Sequence, residues 1–341
     1  MELKKLPGAI LPWYRRNKRK LPWRADRDPY HIWVSEIMLQ QTRVEAVKGY
    51  YARFLERLPD IESLADCDDD ELHKLWEGLG YYSRVRNLKK AAQAVMEQHG
   101  GQFPSDHAAV RALPGIGDYT AGAICSIAFG QATPAVDGNV LRVLSRLRAD
   151  AEPIDLPQVK KRVQQELKEI YPADCPGEFT QALMELGATL CGPNWEPRCG
   201  ECPCRDFCKG QHRWQELPVK LPKKAKKQEN RTVFLLRCGE KWAIEKRPNQ
   251  GLLAGLWQFP NESGHFTAEE AVHWAEEKGL HPRHVERSVD RHHIFTHIRW
   301  ELRGWFLEVD TPAGGFNWLT LEQIDEQAAL PTAFRQFREE I

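Results

Sequence analysis

Apolar residues recur at helical spacing through the first two thirds of the chain and then give way to alternation. From His31 to Leu58, residues such as Ile32, Ile37, Val44, Val47, Tyr51 and Phe54 fall on one helical face. The same period predicts helices over 70–76, 88–98, 120–129, 159–170 and 178–189. After a Pro- and Lys-rich stretch, Leu217 to Lys227, the pattern changes. Residues 232–237 and 241–246 read as paired strands around Cys238-Gly-Glu240, 268–278 as a helix, and 293–307 as alternating strand. No internal repeat is evident. The pattern predicts a mostly helical domain over 1–209, a basic linker over 210–231 and an α+β domain over 232–341.

Composition narrows the class. A chain of 341 residues with 42% hydrophobic content has the length of two domains and can bury sizeable cores. No apolar run approaches the ~18 residues of a membrane span, and Met1-Glu-Leu-Lys-Lys-Leu-Pro7 has no apolar signal core. The expectation is a cytoplasmic protein without membrane contact, whose nine cysteines are reduced or metal-bound. Formal net charge is zero, but residues 210–231 hold seven basic and two acidic side chains and residues 232–341 twelve and seventeen. Affinity for nucleic acid must come from local patches and backbone donors. Arg15 to Lys20 is a basic run and Asp66 to Glu71 an acidic one; each reads plainly as a solvated face.

Two features carry chemistry. Leu113-Pro-Gly-Ile-Gly-Asp-Tyr-Thr-Ala121 is a Gly-bounded hairpin entering a helix, and its backbone N–H groups suit a phosphate. Val136-Asp-Gly-Asn-Val140 sets a carboxylate on a turn shortly after it. Asp137 alone also reads as a helix N-cap, and Glu36, among Trp33, Val34, Ile37 and Met38, as an ordinary helix carboxylate. The second feature is Cys191, Cys199, Cys202 and Cys208, separated by seven, two and five residues. Four thiolates in one loop suit zinc or an iron–sulfur cluster, and spacing alone leaves both open. Cys204 is a competing thiol inside the loop, whereas Cys67, Cys125, Cys175 and Cys238 read as packing residues.

Taken together, Leu21-Pro-Trp-Arg24, Trp33 to Thr42, Gly78-Leu-Gly-Tyr-Tyr-Ser-Arg84, the hairpin, Val136 to Val140, the cysteine loop and Phe295-Thr-His297 resemble one family. It is the helix-hairpin-helix base-excision glycosylase superfamily and, within it, the adenine DNA glycosylases of the MutY type. The resemblance implies a helix-hairpin-helix domain with a [4Fe–4S] loop held by Cys191, Cys199, Cys202 and Cys208, although the family's first gap is six residues. Gly251 to Pro260 resembles the start of a Nudix-type domain. Its glutamates, Glu269, Glu270, Glu276 and Glu277, give only a degenerate echo of the hydrolase motif, so no second hydrolytic site is expected.

The resemblance also implies roles. Glu36 protonates adenine, Asp137 stabilises the oxocarbenium-like sugar, Asn139 orients water or Asp137, and Tyr119 lines the site. Gln41 and Tyr81 wedge into the duplex; Arg24, Leu113, Gly115 and Gly117 contact DNA. Phe295, Thr296 and His297 read 8-oxoguanine, with Arg291 to His293 near phosphate. Tyr119 stands where bifunctional relatives carry a lysine and cannot form a Schiff base, which implies a monofunctional enzyme. The expected substrate is double-stranded DNA with adenine opposite 8-oxoguanine, or more weakly guanine. The expected enzyme is a bacterial, nucleoid-associated monomer. A pyrimidine glycosylase with lyase activity and a silent damage-binding module are the competing readings.

Overall fold

The computed structural model describes residues 2–222 and 225–341; Lys223 and Lys224 of the expected linker lie outside the described residues. Eleven helices precede the sheet among the described residues: α1 (Leu6–Asn17), α2 (Pro29–Leu39), α3 (Val44–Arg57), α4 (Ile61–Asp66), α5 (Asp69–Leu75), α6 (Ser83–His99), α7 (His107–Ala112), α8 (Asp118–Ile127), α9 (Gly138–Arg148), α10 (Pro157–Lys168) and α11 (Pro176–Thr189). The helical stretch expected over 31–58 is broken at Gln40–Arg43, where Gln41 takes a φ of 59°. Helix α2 is buried on nearly every face, as its almost unbroken apolar sequence requires.

The chain divides into two compact units, Met1–Asp66 with Arg86–Pro222, and Cys67–Val85 with Lys223–Ile341. In the first, α1, α9, α10 and α11 enclose a core that includes Leu6, Ile10, Val143, Phe179, Leu183 and the thiol of Cys204. The segment read as a free linker is anchored here up to Leu221. Leu217 is buried, Val219 accepts a hydrogen bond from the Ile154 N–H, and the Leu221 N–H donates to Asp155. Burial of one leucine and these two backbone pairings outweigh the lysines around them.

The second unit holds β1 (Lys227–Cys238), β2 (Lys241–Lys246), β3 (Trp257–Gln258), β4 (Asn261–Ser263), α12 (Ala268–Glu277), β5 (Pro282–Ile294), β6 (Ile298–Val309), β7 (Asn317–Thr320), α13 (Leu321–Gln327) and α14 (Thr332–Arg338). The strands form one mixed sheet with the path β3-β2-β1-β6-β5, to which β4 adds on β1 and β7 on β2. The expected hairpin is present, with Cys238 opposite Lys241, and β1 runs parallel to β6 from Lys227 onward. The last five residues of the expected linker are therefore strand. Alternation along β1 serves two cores. Val233 and Leu235 face Phe334 and Phe337 of α14; Phe234 and Leu236 face α12, where Phe234 stacks on Trp274 at 3.6 Å. Residues 67–85, which sequence reading puts with the helical domain, pack in this unit through α5.

Candidate active site

Local sequence explains how the first unit brings its chemistry together. Asp28 caps α2 by accepting the Tyr30 N–H, and about two turns further Glu36 is carried inward, 6% exposed. Asp137 caps α9: its Oδ1 accepts the Val140 N–H at 2.7 Å. Its Oδ2 accepts from Asn139 Nδ2, also at 2.7 Å. Tyr119 lies in the first turn of α8, directly after the hairpin, and its hydroxyl donates to Glu36 Oε2 at 2.7 Å. Arg24, Glu36, Gln41, Tyr119, Asp137 and Asn139 all line one cleft of about 520 Å³. That volume suits a ligand of nucleobase or drug size.

Electrostatics separate the two carboxylates. Burial pushes the Glu36 carboxyl up to about 7; the Tyr119 hydrogen bond opposes this, the Asp137 charge adds to it, and the Arg24 charge opposes it. The Tyr119 hydroxyl is raised far above its ordinary range, by burial first and then by the Glu36 and Asp137 charges, so it remains a donor. A carboxyl poised near neutrality beside a turn-bound carboxylate is an acid-plus-anion arrangement.

The hairpin also has the expected form. Leu113 ends α7 and is buried, and the Ile116 N–H closes the turn onto its carbonyl at 3.1 Å. Gly115 has φ 76°, and a Cβ there would lie 2.6 Å from Asn87 Cβ, so glycine is required twice over. Gly117 caps α8 without a side chain, and Asp118 is turned aside to pair with Arg111.

Several groups at this site escape sequence reading. Glu185, fully buried, accepts from Arg24 at 2.8 Å and from Arg19 at 2.6 Å, so both arginines are committed within the cleft. Burial raises its carboxyl, but the two arginines more than offset that and hold it below its ordinary value. Arg142 of α9 donates to Asn139 Oδ1 (3.0 Å), Gly187 O (3.0 Å) and Cys191 O (2.9 Å). It ties the Asp137 turn to the cysteine loop. Arg146, one turn on, donates to Gly192 O at 2.8 Å and reaches Cys191 Sγ at 3.3 Å. The available signal was an arginine pair spaced i,i+4 inside the apolar stripe Val140 to Leu147.

Cys191, Cys199, Cys202 and Cys208 border one cavity; Cys204 is buried in the adjoining core, its thiol hydrogen-bonded to that of Cys202. Among the described residues, no three of these sulfurs lie within 4.8 Å of one another. A tetrahedral zinc with 2.3 Å bonds would draw them to roughly 3.8 Å. Trp195 folds back onto Gly192, where any Cβ would lie 2.1 Å from its ring, and so absorbs the extra residue of the first gap.

The remaining candidates lie in the second unit. Tyr81 is 48% exposed with φ 48°. Phe295, Thr296 and His297 form the turn between β5 and β6, closed by the Phe295 N–H on Ile298 O at 2.8 Å. Phe295 packs on Trp300 (4.8 Å between centroids), leaving Thr296 and His297 exposed. Arg291 pairs with Glu340, and His293 packs on Phe295. Apposition of the chain's end with β5 decides this, a long-range contact that sequence spacing does not show. The glutamates of α12 are used locally, Glu270 in a capping box with Thr267.

Residues 34–173 match the HhH-GPD superfamily base excision DNA repair protein family and residues 232–340 the NUDIX domain family. Human adenine DNA glycosylase is 36% identical over 96% of this chain and 72% of its own length. The adenine DNA glycosylase of Buchnera aphidicola (Acyrthosiphon pisum symbiont) is 34% identical over 85% and 82%. A thermostable thymine-DNA glycosylase structure superposes with a TM-score of 0.57 at 29% identity, covering 62% of this chain and 97% of that one. No helix among the described residues is long and apolar enough to cross a membrane. Similarity of this extent to adenine-specific relatives, spanning both units, makes the chain a member of the adenine DNA glycosylase family, base-excision-repair enzymes that hydrolyse the N-glycosyl bond of adenine in DNA.

Proposed function

We propose that the enzyme excises adenine mispaired with 8-oxoguanine, and more slowly with guanine, by acid catalysis from Glu36 and electrostatic stabilisation from Asp137. The observation that carries this is the buried Glu36, held by the Tyr119 hydroxyl at 2.7 Å, in the same cleft as the capped Asp137. Adenine is a poor leaving group. A carboxyl with its pKa near 7 is protonated often enough at neutral pH to give a proton to a ring nitrogen. The Val140 N–H and Asn139 hold the Asp137 carboxylate group in place, where it would face the positive charge that develops on the sugar. Asn139 orients Asp137, and Arg142 orients Asn139. With tyrosine at 119 and no amine to attack the sugar, strands are left intact.

The hairpin from Leu113 to Gly117 would hold a phosphate of the flipped nucleotide, with Gln41 and Tyr81 filling the stack it leaves. Arg24 acts through Glu185 rather than as a free cation. Thr296 and His297, exposed on a turn anchored by Phe295, would read the opposite base. Cys191, Cys199, Cys202 and Cys208 would carry a [4Fe–4S] cluster; their cavity and wide sulfur spacing fit that group better than zinc. When bound, it would supply a covalent cross-link that fixes the loop received by Arg142 and Arg146. The same reading keeps the expectation of a monomer working on chromosomal DNA in the cytoplasm.

The test is Glu36→Gln. It should bind an A:8-oxoguanine duplex normally and lose at least about a thousandfold in base release, at the middle of the range for a lost acid. Borohydride should trap no adduct with the wild type. Normal excision by Glu36→Gln would remove this residue from the mechanism, and a trapped adduct would return the bifunctional reading.

A further inference from the structure

Residues 67–85 belong structurally to the Nudix-type unit although the helical unit flanks them on both sides in sequence. The attachment is specific. Glu77 uses both carboxylate oxygens: Oε1 accepts the Leu330 N–H at 3.1 Å, and Oε2 accepts from Lys74 Nζ at 2.6 Å. Lys74 Nζ also donates to Ala328 O at 3.3 Å. Ala328, Ala329 and Leu330, between α13 and α14, are buried, so their backbone forms a rigid strap. Asp70 adds an ion pair to Lys246 at the end of β2 (2.7 Å).

This clasp ends one residue before the turn that presents Tyr81. Gly78 and Gly80 have φ of 97° and 70°, and Tyr81 itself is left-handed, a conformation that a bulky residue holds only when its surroundings impose it. Arg84 donates to Leu79 O and Gly80 O, both at 3.1 Å, and Trp76 donates to Gly80 O at 3.1 Å. The turn is therefore braced within itself, and Glu77, the residue before it, ties it to the strap.

We propose that Glu77, seconded by Lys74, is a positioning residue: it fixes the Tyr81 turn to the Ala328–Leu330 strap, so that the fold reading the opposite base also sets the wedge side chain. This rests on the reading of Tyr81 as a wedge given above. A duplex whose opposite base docks against the Phe295–His297 turn then meets Tyr81 in a preset orientation, and loosening the clasp lets the two drift apart.

The experiment is a double-mutant cycle in the full-length protein. Glu77→Ala, Glu77→Gln, Tyr81→Ala and Glu77→Ala/Tyr81→Ala are titrated with an A:8-oxoguanine duplex carrying a non-hydrolysable 2′-fluoro adenine nucleotide. Glu77→Ala should weaken binding about tenfold, the worth of one charge-assisted hydrogen bond. Glu77→Gln, whose amide oxygen still accepts the Leu330 N–H, should recover most of that. On the Tyr81→Ala background, Glu77→Ala should cost less than about twofold, because the group it positions is gone. Lys74→Met, with thermal unfolding as a control, repeats the cycle should Glu77→Ala fail to fold. Additive losses, or unchanged binding by Glu77→Ala and Lys74→Met where Tyr81→Ala weakens it, would overturn the clasp alone. Unchanged binding by Tyr81→Ala would overturn the wedge reading and the clasp with it.

Discussion

Glu36 sits where water scarcely reaches, and the consequence can be read against pH. As a proton donor it works only while protonated, so single-turnover release should decline as pH rises through about 7. The Tyr119 hydroxyl favours the carboxylate, so Tyr119→Phe should move that decline to higher pH. A decline that stays in place, or moves lower, contradicts the assignment. Stability follows with a defined sign. Between the ordinary value of 4.5 and about 7 the folded state holds a proton that the unfolded state has released, so stability is lost as pH rises through that window. Glu36→Gln should therefore resist urea better than wild type at pH 8, by up to about 3 kcal/mol at ~1.4 kcal/mol per pKa unit, with the gain shrinking toward pH 5. The apolar neighbours of Glu36 made its burial legible in sequence. Glu185 was not legible, because the arginines that neutralise it lie about 160 positions away in the chain.

Among elements, the contact of α9 with α11 sets the site. Gly187 of α11 faces Asn139; a Cβ there would lie 3.1 Å from Asn139 Cβ and 3.4 Å from Arg142 Nη2. Gly187→Ala should slow excision several-fold while lowering Tm by only a few degrees, since the neighbours must shift by tenths of an ångström rather than unpack. Equal damage to both, or to neither, would deny that this contact tunes the Asp137 turn. Arg142→Met should be harsher. It leaves Gly187 O, Cys191 O and Asn139 Oδ1 without their donor, at a cost of about 2 kcal/mol or more measured by denaturation. Periodicity revealed α2, α3, α5, α6, α8, α10, α11 and α12 but missed α1, α4, α7, α13, α14 and α9, in the last of which buried arginines disguise the apolar stripe. It also ran past the break after α2, where no glycine or proline lies between Leu39 and Arg43 to announce the left-handed Gln41. Both are decisions of tertiary packing, which local pattern does not contain.

For the whole molecule, the change of period near residue 230 revealed two folds, and the motifs pointed to the candidate residues that one cleft brings together. The ownership of residues 67–85 was hidden, because a short acidic helix says nothing of the strap that receives it. The cysteine loop was plain from spacing, but the burial of Cys204 in the adjoining core was not. Cys199→Ser should lower iron content and visible absorbance and leave a less stable protein, because the loop that Arg142 and Arg146 grip would lose its cross-link. Full iron content and unchanged stability would remove Cys199 from the ligand set.

The most direct measurement is single-turnover base release from duplexes bearing adenine opposite 8-oxoguanine, guanine or thymine, each sample divided between alkaline heating and no treatment. The expected result is rapid release opposite 8-oxoguanine, slower release opposite guanine, and strand breaks only after alkali. No release from the 8-oxoguanine duplex, or breaks without alkali, would contradict it.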